Sequence, residues 1–459
     1  MNAVTISKKA EEHKEEIIRL AMKIWEEPEI GWEEKKAVAW TAEVLENNGF
    51  QVEKGAYGMP TALRAVWGSG KPVVGFCGEY DCLPGLSQKA CPYPDPVVPG
   101  GLGHGCGHNL LGAGCVLAAI ALKEALEETG EAGTVILYGC PAEERESGKG
   151  FMARAGAFTE CDFTISWHPA GESRDTFGEH TGIEEADFQF TGVSSHAAAS
   201  PELGRSALDA VQLMNIGAEF LREHVTDDVR IHYRIIHGGE AANIVPEFAE
   251  VSYMVRALTR EATVDAFERV VRCAEGAAHM TGTTLKVRRK GGLYPSLQNR
   301  VIGQAVQEAR AQIPPLAYTE QELAFADQIN RAYPEYQPGV TPPMDTADQE
   351  VQYKNLFDST DYGDVQHIRP GFQVREACAP TLYRAHSWSM TASAGSSIGM
   401  KGMVRAAKLM AAAAYTILTD PERLAAMQKE FAHRMNGRIY ECPLSEELPW
   451  PYPEMRTTR

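Results

Sequence analysis

A chain of 459 residues with 44% hydrophobic content is too long for one ordinary core and has the length of about two or three domains. Its formal charge of −18 repels phosphate backbones and anionic headgroups, which argues against nucleic acid and membrane surfaces as partners and leaves small molecules and protein subunits. Ten cysteines without regular spacing do not make the framework of a small secreted domain, so a reducing cytoplasm is the expected setting.

Residues 1–30 alternate Lys and Glu without an apolar signal core, which predicts a surface helix and no export. The apolar stretches 110–122 and 409–418 fall short of the roughly 20 residues that cross a bilayer and read as buried helices. The runs 72–77, 134–140 and 162–167 are apolar without alternation, the pattern of strands buried on both faces of a parallel sheet. Each leads into reactive residues: Gly78-Glu79-Tyr80-Asp81 after the first, Glu143 and Glu144 after the second, His168 after the third. A helix over 110–128 lies between the first two. This is the α/β arrangement in which ligands bind at the carboxyl ends of strands.

From about residue 182 the texture changes. Residues 184–190 alternate, 206–224 have a helical period, and strands over 229–236 and 247–256 flank the turn His237-Gly238-Gly239. A helix over 264–280 and a strand over 283–289 complete an inserted α+β unit. After Gly291-Gly292 the chain returns to helices, so the first domain is predicted to be discontinuous: 1–182 with 293–459 around an insert of 183–292. The Pro-rich segment 333–348 reads as a connector, and the tail 436–459 as an extended surface strap.

The segment Gly103-His104-Gly105-Cys106-Gly107-His108-Asn109 carries the densest chemistry. Glycines beside Cys106 and His108 let a turn aim both side chains at one point, and a thiolate, imidazoles and a carboxylate are ligands for zinc, manganese or cobalt. The Glu143-Glu144 pair, His168 and the distant His386 complete such a set. The adjacent Glu143 and Glu144, on an extended loop, are expected to point to opposite sides and to divide the work, one ligating and one moving a proton. Cys77, Cys115, Cys140, Cys161 and Cys273 read as small core residues, and His180, His232 and His279 as ordinary histidines.

Taken together, Gly-Glu-Tyr-Asp-Cys-Leu-Pro at 78–84, the Cys-Gly-His motif, Pro-Ala-Glu-Glu at 141–144, residues 192–201 around His196, Asn-Ile-Val-Pro at 243–246 and His386 resemble the M20 metallopeptidases. The likeness is to the amidohydrolase branch, subfamily D, whose members cleave N-acyl amino acids. It implies an α/β catalytic domain with a mostly parallel sheet and a two-metal centre, manganese or zinc, held by Cys106, His108, Glu144, His168 and His386. Glu143 is then the general base and acid, and Asp81 orients a ligand histidine. The insert is implied to be a lid and dimerisation domain, pairing with itself or with a related subunit. From it His196 would polarise the scissile carbonyl in the partner's site, with Asn243 and Arg256 binding the substrate carboxylate. Many members carry Asp at the position of Asn109 and Gln at that of Cys140, and the Asn109 form points to the aminobenzoyl-glutamate branch. Alternatives are a dipeptidase or general N-acyl-amino-acid deacylase and, from another class, a non-catalytic partner subunit.

Overall fold

The computed structural model describes residues 1–345 and 347–444, so residues 445–459 of the expected strap lie outside the described residues. Among the described residues ten strands run in chain order as β1 (Gln51–Lys54), β2 (Leu63–Ser69), β3 (Val73–Glu79), β4 (Gly133–Cys140), β5 (Phe163–Ala170), β6 (Gly182–Thr191), β7 (Arg230–His237), β8 (Phe248–Ala257), β9 (Thr284–Leu293) and β10 (Gly371–Ala377). They form two sheets. The first has the order β1-β2-β4-β3-β5-β10, with β4, β3, β5 and β10 parallel and β1 and β2 joined antiparallel at one edge.

The three apolar runs become β3, β4 and β5, and β3 and β4 are buried along their whole length. Non-alternating apolar sequence suits this burial because helices cover both faces. β4 and β5 lie on opposite sides of β3, so the connection order reverses there and opens a crevice at the carboxyl ends. On one face pack the helices Ala3–Glu26, His108–Thr129 and Ser397–Leu418. The helix His108–Thr129 starts two residues before the expected point and is itself long and apolar enough to cross a membrane; 89% of its apolar window is buried inside the protein. An apolar surface on all sides is what a core helix shows.

β1, β2 and β10 have no counterpart among the predicted elements. β10 alternates Phe372 and Val374 with Gln373 and Arg375, and tertiary partners reach it: the Gln373 backbone amide donates to Gln298, and the buried Glu376 carboxylate accepts from Arg310 and Arg405.

The second sheet, order β7-β8-β6-β9, is antiparallel throughout. Alternation in β6 and β8 directs Phe188, Phe190, Val251 and Tyr253 onto the helices Ala207–Leu221 and Arg260–Thr281, whose Met214, Phe267 and Val270 complete a separate core. Truncating Phe188 there to Ala would cost about 3–5 kcal/mol. A register shift between Glu185 and Ala186 faces the glycines at the end of β9. Residues 436–444 run back over the return to the first sheet, where Tyr440 donates to Asp364, Arg438 pairs with Glu261, and Leu444 is buried against Gly150 and Gly291.

The Pro-rich segment is anchored: the Asn330 amide holds the carbonyls of Pro342 and Pro343, and Asp348 accepts from Arg310 and Arg405; Thr346 lies outside the described residues. All ten cysteines are free, and Cys273, expected in the core, is only half-buried.

Candidate metal centre

The turn before helix His108–Thr129 determines where Cys106 and His108 point. Gly107 has φ +80°, and a Cβ there would lie 2.6 Å from Met390 Cε, so only glycine lets the loop holding Cys106 pass directly into a helix whose first residue is His108. His386 arrives from far along the chain at φ +54°, and its amide donates to the Gly105 carbonyl at 2.9 Å. That bond ties the distant loop to the Cys-Gly-His turn.

Glu143 and Glu144 are not on an extended loop. They open a single helical turn, Glu143–Glu146, entered through Ala142 at φ +51°, and their side chains diverge because successive helical residues are about 100° apart. Glu34 Oε1 accepts from the Ala142 amide at 2.8 Å and holds that turn. Burial, and then the charge of Asp81, pushes the Glu34 carboxyl up to about 8.

Three sets of ligand-type atoms each lie within 4.8 Å of one another: Cys106, His108 and His168; Cys106, Glu144 and His386; Glu79, His108 and Glu143. Cys106 is common to the first two. Its sulfur is 3.4 Å from His168 Nε2, and His386 Nε2 is 3.3 Å from Glu144 Oε1. His168 Nδ1–H donates to the Pro169 carbonyl at 2.8 Å, which leaves Nε2 as the free lone pair. Asp81 spans two elements, one oxygen 2.8 Å from His108 Nδ1 and the other accepting from the Glu144 amide at 2.9 Å.

The donors fit a pair of divalent ions. His108 Nε2 is buried without a hydrogen-bond partner, an arrangement proteins seldom leave uncompensated. Burial pushes the Cys106 thiol up, so a thiolate there needs a cation beside it. Around His108 burial is outweighed by Cys106, Asp81 and Glu79, which hold its proton affinity well above the usual imidazole range. At Glu144 the burial effect is overcome by the His386 hydrogen bond and the charge of His108, which bring the carboxyl down to about 2. Burial, with His108 and Arg375 adding to it, lowers His168 to about 4. Glu143 goes the other way: burial, Glu79, Asp361 and Glu144 raise it well above the carboxylate range.

Behind these groups lies a charge cluster that sequence reasoning missed. The Lys149 ammonium, fully buried, bonds both Glu79 and Asp361, and Glu79 Oε2 stands 3.2 Å from His108 Nε2. Glu79 sits two residues before Asp81 in the same strand-end motif, a signal that could have found it; Lys149 and Asp361 carry none.

The centre opens into a cavity of about 1,190 Å³ lined by Cys106, Glu143, Glu144, His168 and His386 on one side and by Arg230, Arg256, Arg288 and Lys290 of the second sheet on the other. His180 and His232, read as ordinary, also line it, and His180 Nδ1 is 2.9 Å from Asp358. Arg256 faces the cavity as expected, donating to Ser359 Oγ at 3.0 Å. His196 and Asn243 are not among its lining residues; both are exposed and adjacent, bridged through Ala197 N–H to the Asn243 carbonyl. His196 Nδ1 accepts from the amides of Ala198 and Ala199, so its Nε2–H is the free donor. Asn109 does not line the cavity either: its amide donates to the Ala394 carbonyl at 3.1 Å, inside the core.

Comparison with known proteins adds four findings. The M20 peptidase dimerisation domain model matches residues 178–280. Over 455 residues the chain is 38% identical to a subunit of the p-aminobenzoyl-glutamate hydrolase of Escherichia coli K12, covering 94% of each chain, and over 460 residues it is 28% identical to the Xaa-Arg dipeptidase of Mus musculus, covering 96% of this chain and 92% of the other. A crystal structure from Bacillus subtilis, described as a dinuclear metal binding peptidase of the M20 family, shares the fold with a TM-score of 0.63 at 18% identity, covering 89% of this chain and 99% of that one.

Proposed function

Because the chain belongs to the M20 peptidase family of metal-dependent amide hydrolases, we propose that it cleaves the amide bond of an N-acyl amino acid, p-aminobenzoyl-glutamate or a related aroyl- or acyl-glutamate. The observation that carries this reading is the meeting of Cys106, His108, Glu144, His168 and His386 in two sets that share one sulfur, with Glu143 standing beside them in a third set.

In this reading Cys106, His108, Glu144, His168 and His386 would hold two divalent ions, manganese or zinc. Such a pair supplies Lewis acidity at the amide carbonyl and lowers the pKa of water towards neutrality. Glu143 takes the proton of the attacking water and returns it to the leaving amine nitrogen; its raised proton affinity suits the second step. Asp81 keeps His108 in the tautomer with Nε2 free. Residues 1–182 and 293–459 form the catalytic domain, and 183–292 the lid through which a second copy or a related subunit pairs. His196, too far round to line its own cavity, donates its Nε2–H to the carbonyl in the partner's cavity, beside Asn243. Arg256 takes a substrate carboxylate, for which its planar fork is suited. The ten free thiols agree with a reducing cytoplasm.

A dipeptidase is the second reading, and the Xaa-Arg relative favours it. The guanidinium-lined cavity opposes a basic leaving residue and favours an acidic one. The intact Glu143 argues against a non-catalytic subunit. Elemental analysis combined with a screen of acyl-glutamates against dipeptides tests the assignment. Metal retained with hydrolysis abolished in Glu143→Ala supports it, and unchanged hydrolysis in that variant overturns the role of the base.

A further inference from the structure

Among the guanidinium groups that line the cavity, Arg230, Arg256 and Arg375 have no ion pair with a carboxylate among the described residues. Their neighbours differ, since Lys290 is bound by Glu185 and Asp187 and Arg260 by Glu184.

Arg230 and Arg256 are register partners, directly opposite each other on β7 and β8. Like charges so placed repel and weaken an antiparallel pair; Asp228 acts on Arg230, and Asp358 and Glu185 on Arg256, through charge alone, and none of these carboxylates forms an ion pair with them among the described residues. Arg230 is nevertheless held in place: Nη1 donates to the carbonyls of Asp227 and Val229 at 2.5 and 2.9 Å, and its guanidinium lies 4.6 Å from the Phe357 ring centre. Its Nε and Nη2 stay open. A fixed, doubly cationic pair with free donors is arranged for an anion that can accept from both.

Arg375 belongs to the other wall. It is the register partner of His168 on adjacent parallel strands, so it flanks a residue of the first ligand set, and its side chain has no hydrogen bond or ion pair among the described residues. The two positions are carried by different sheets, which makes them separate subsites of one cavity.

We propose that Arg375 receives the carboxylate next to the scissile nitrogen, and the Arg230–Arg256 pair a second carboxylate further along the same leaving half. The cavity then selects N-acyl derivatives of dicarboxylic amino acids over those of neutral ones. This rests on the amide-hydrolase reading for turnover, but the second subsite binds a dicarboxylate whether or not the amide is cleaved.

The test compares N-acyl-glutamate with N-acyl-glutamine, and glutarate with butyrate as calorimetric probes of the metal-loaded protein. The wild type is expected to favour the glutamate derivative by about 10- to 100-fold in kcat/KM, the worth of one charge-assisted contact. Arg230→Met brings that ratio towards one, mainly through KM, and weakens glutarate relative to butyrate by a similar factor; Arg230→Lys restores part of both. Arg375→Met lowers the glutamate and glutamine derivatives alike, because both keep the nearer carboxylate. A glutamate-to-glutamine ratio that survives Arg230→Met in a variant melting like the wild type overturns the proposal, as does an Arg375→Met enzyme with both rates intact. Hydrolysis without any glutamate preference sinks the subsite and leaves the proposed function standing. Arg230-dependent glutarate binding without hydrolysis of any acyl amino acid does the reverse.

Discussion

The two walls of the cavity are built on different terms. On the first sheet the functional groups sit at parallel strand ends and are locked by their own hydrogen bonds: His108 by Asp81, His168 by the Pro169 carbonyl, the Glu143 turn by Glu34 through Ala142. On the second sheet they stand on the face of an antiparallel ladder, where Arg230 and His232 are exposed and the Arg288 side chain is 55% exposed. Bond breaking needs groups fixed to fractions of an ångström, whereas recognition of a charged tail tolerates freedom and needs charge. The same chain supplies rigidity from burial on one side and selectivity from uncompensated cations on the other.

If that division is right, damage to the first wall should be large. Glu143→Ala is expected to lower turnover by about 100- to 10,000-fold with metal content retained, measured by product release and elemental analysis. Lys149→Met leaves Glu79 and Asp361 facing each other in the interior and should cost roughly 3–5 kcal/mol in a denaturant melt; a loss below about 1 kcal/mol would mean that this buried cluster is not holding the wall. The junction between the walls offers a pH test. His367, buried against Tyr294 with ring centres 4.6 Å apart, is lowered to about 4 by burial. The unfolded chain therefore binds a proton that the folded chain refuses between pH 6.5 and 4, and stability should fall through that window by up to roughly 3 kcal/mol, an acid loss that His367→Gln should diminish. Asp81→Asn should weaken metal retention by about 10- to 100-fold, read by competition with a chelator. Last, Arg288→Gln on the second wall, 3.9 Å from Glu250, should change the melting free energy by less than about 0.5 kcal/mol. A larger change would show that this wall is rigid too.

The parts of the molecule that sequence made legible are those where one residue type has one physical reason to be there. Short unbroken apolar runs bounded by turn residues suit doubly buried strands, and β3, β4 and β5 followed. The alternating runs of the second sheet were equally plain. β10 was not, because Gln373, Arg375 and Glu376 look like surface residues, and only the tertiary structure brings Arg310 and Arg405 to the buried Glu376 carboxylate. Lys149 has the same character, since a buried ammonium is intelligible only once Glu79 and Asp361 are beside it. The cluster of Cys106, His108, Glu144, His168 and His386 was visible as a set of ligand types and the structure brings all five together. Glu143 and Glu144 diverge from a helical turn and not from the expected extended loop, because Ala142 at positive φ cannot be foreseen from its sequence.

Cys106 belongs to both ligand sets. On the proposed reading, loss of the proton from that one thiol would complete the donors of both sets at once, since Cys106 would serve each of them. Occupancy of the two positions should thus be cooperative, filling and emptying together with a Hill slope above one, and Cys106→Ser should separate them into two independent, weaker steps.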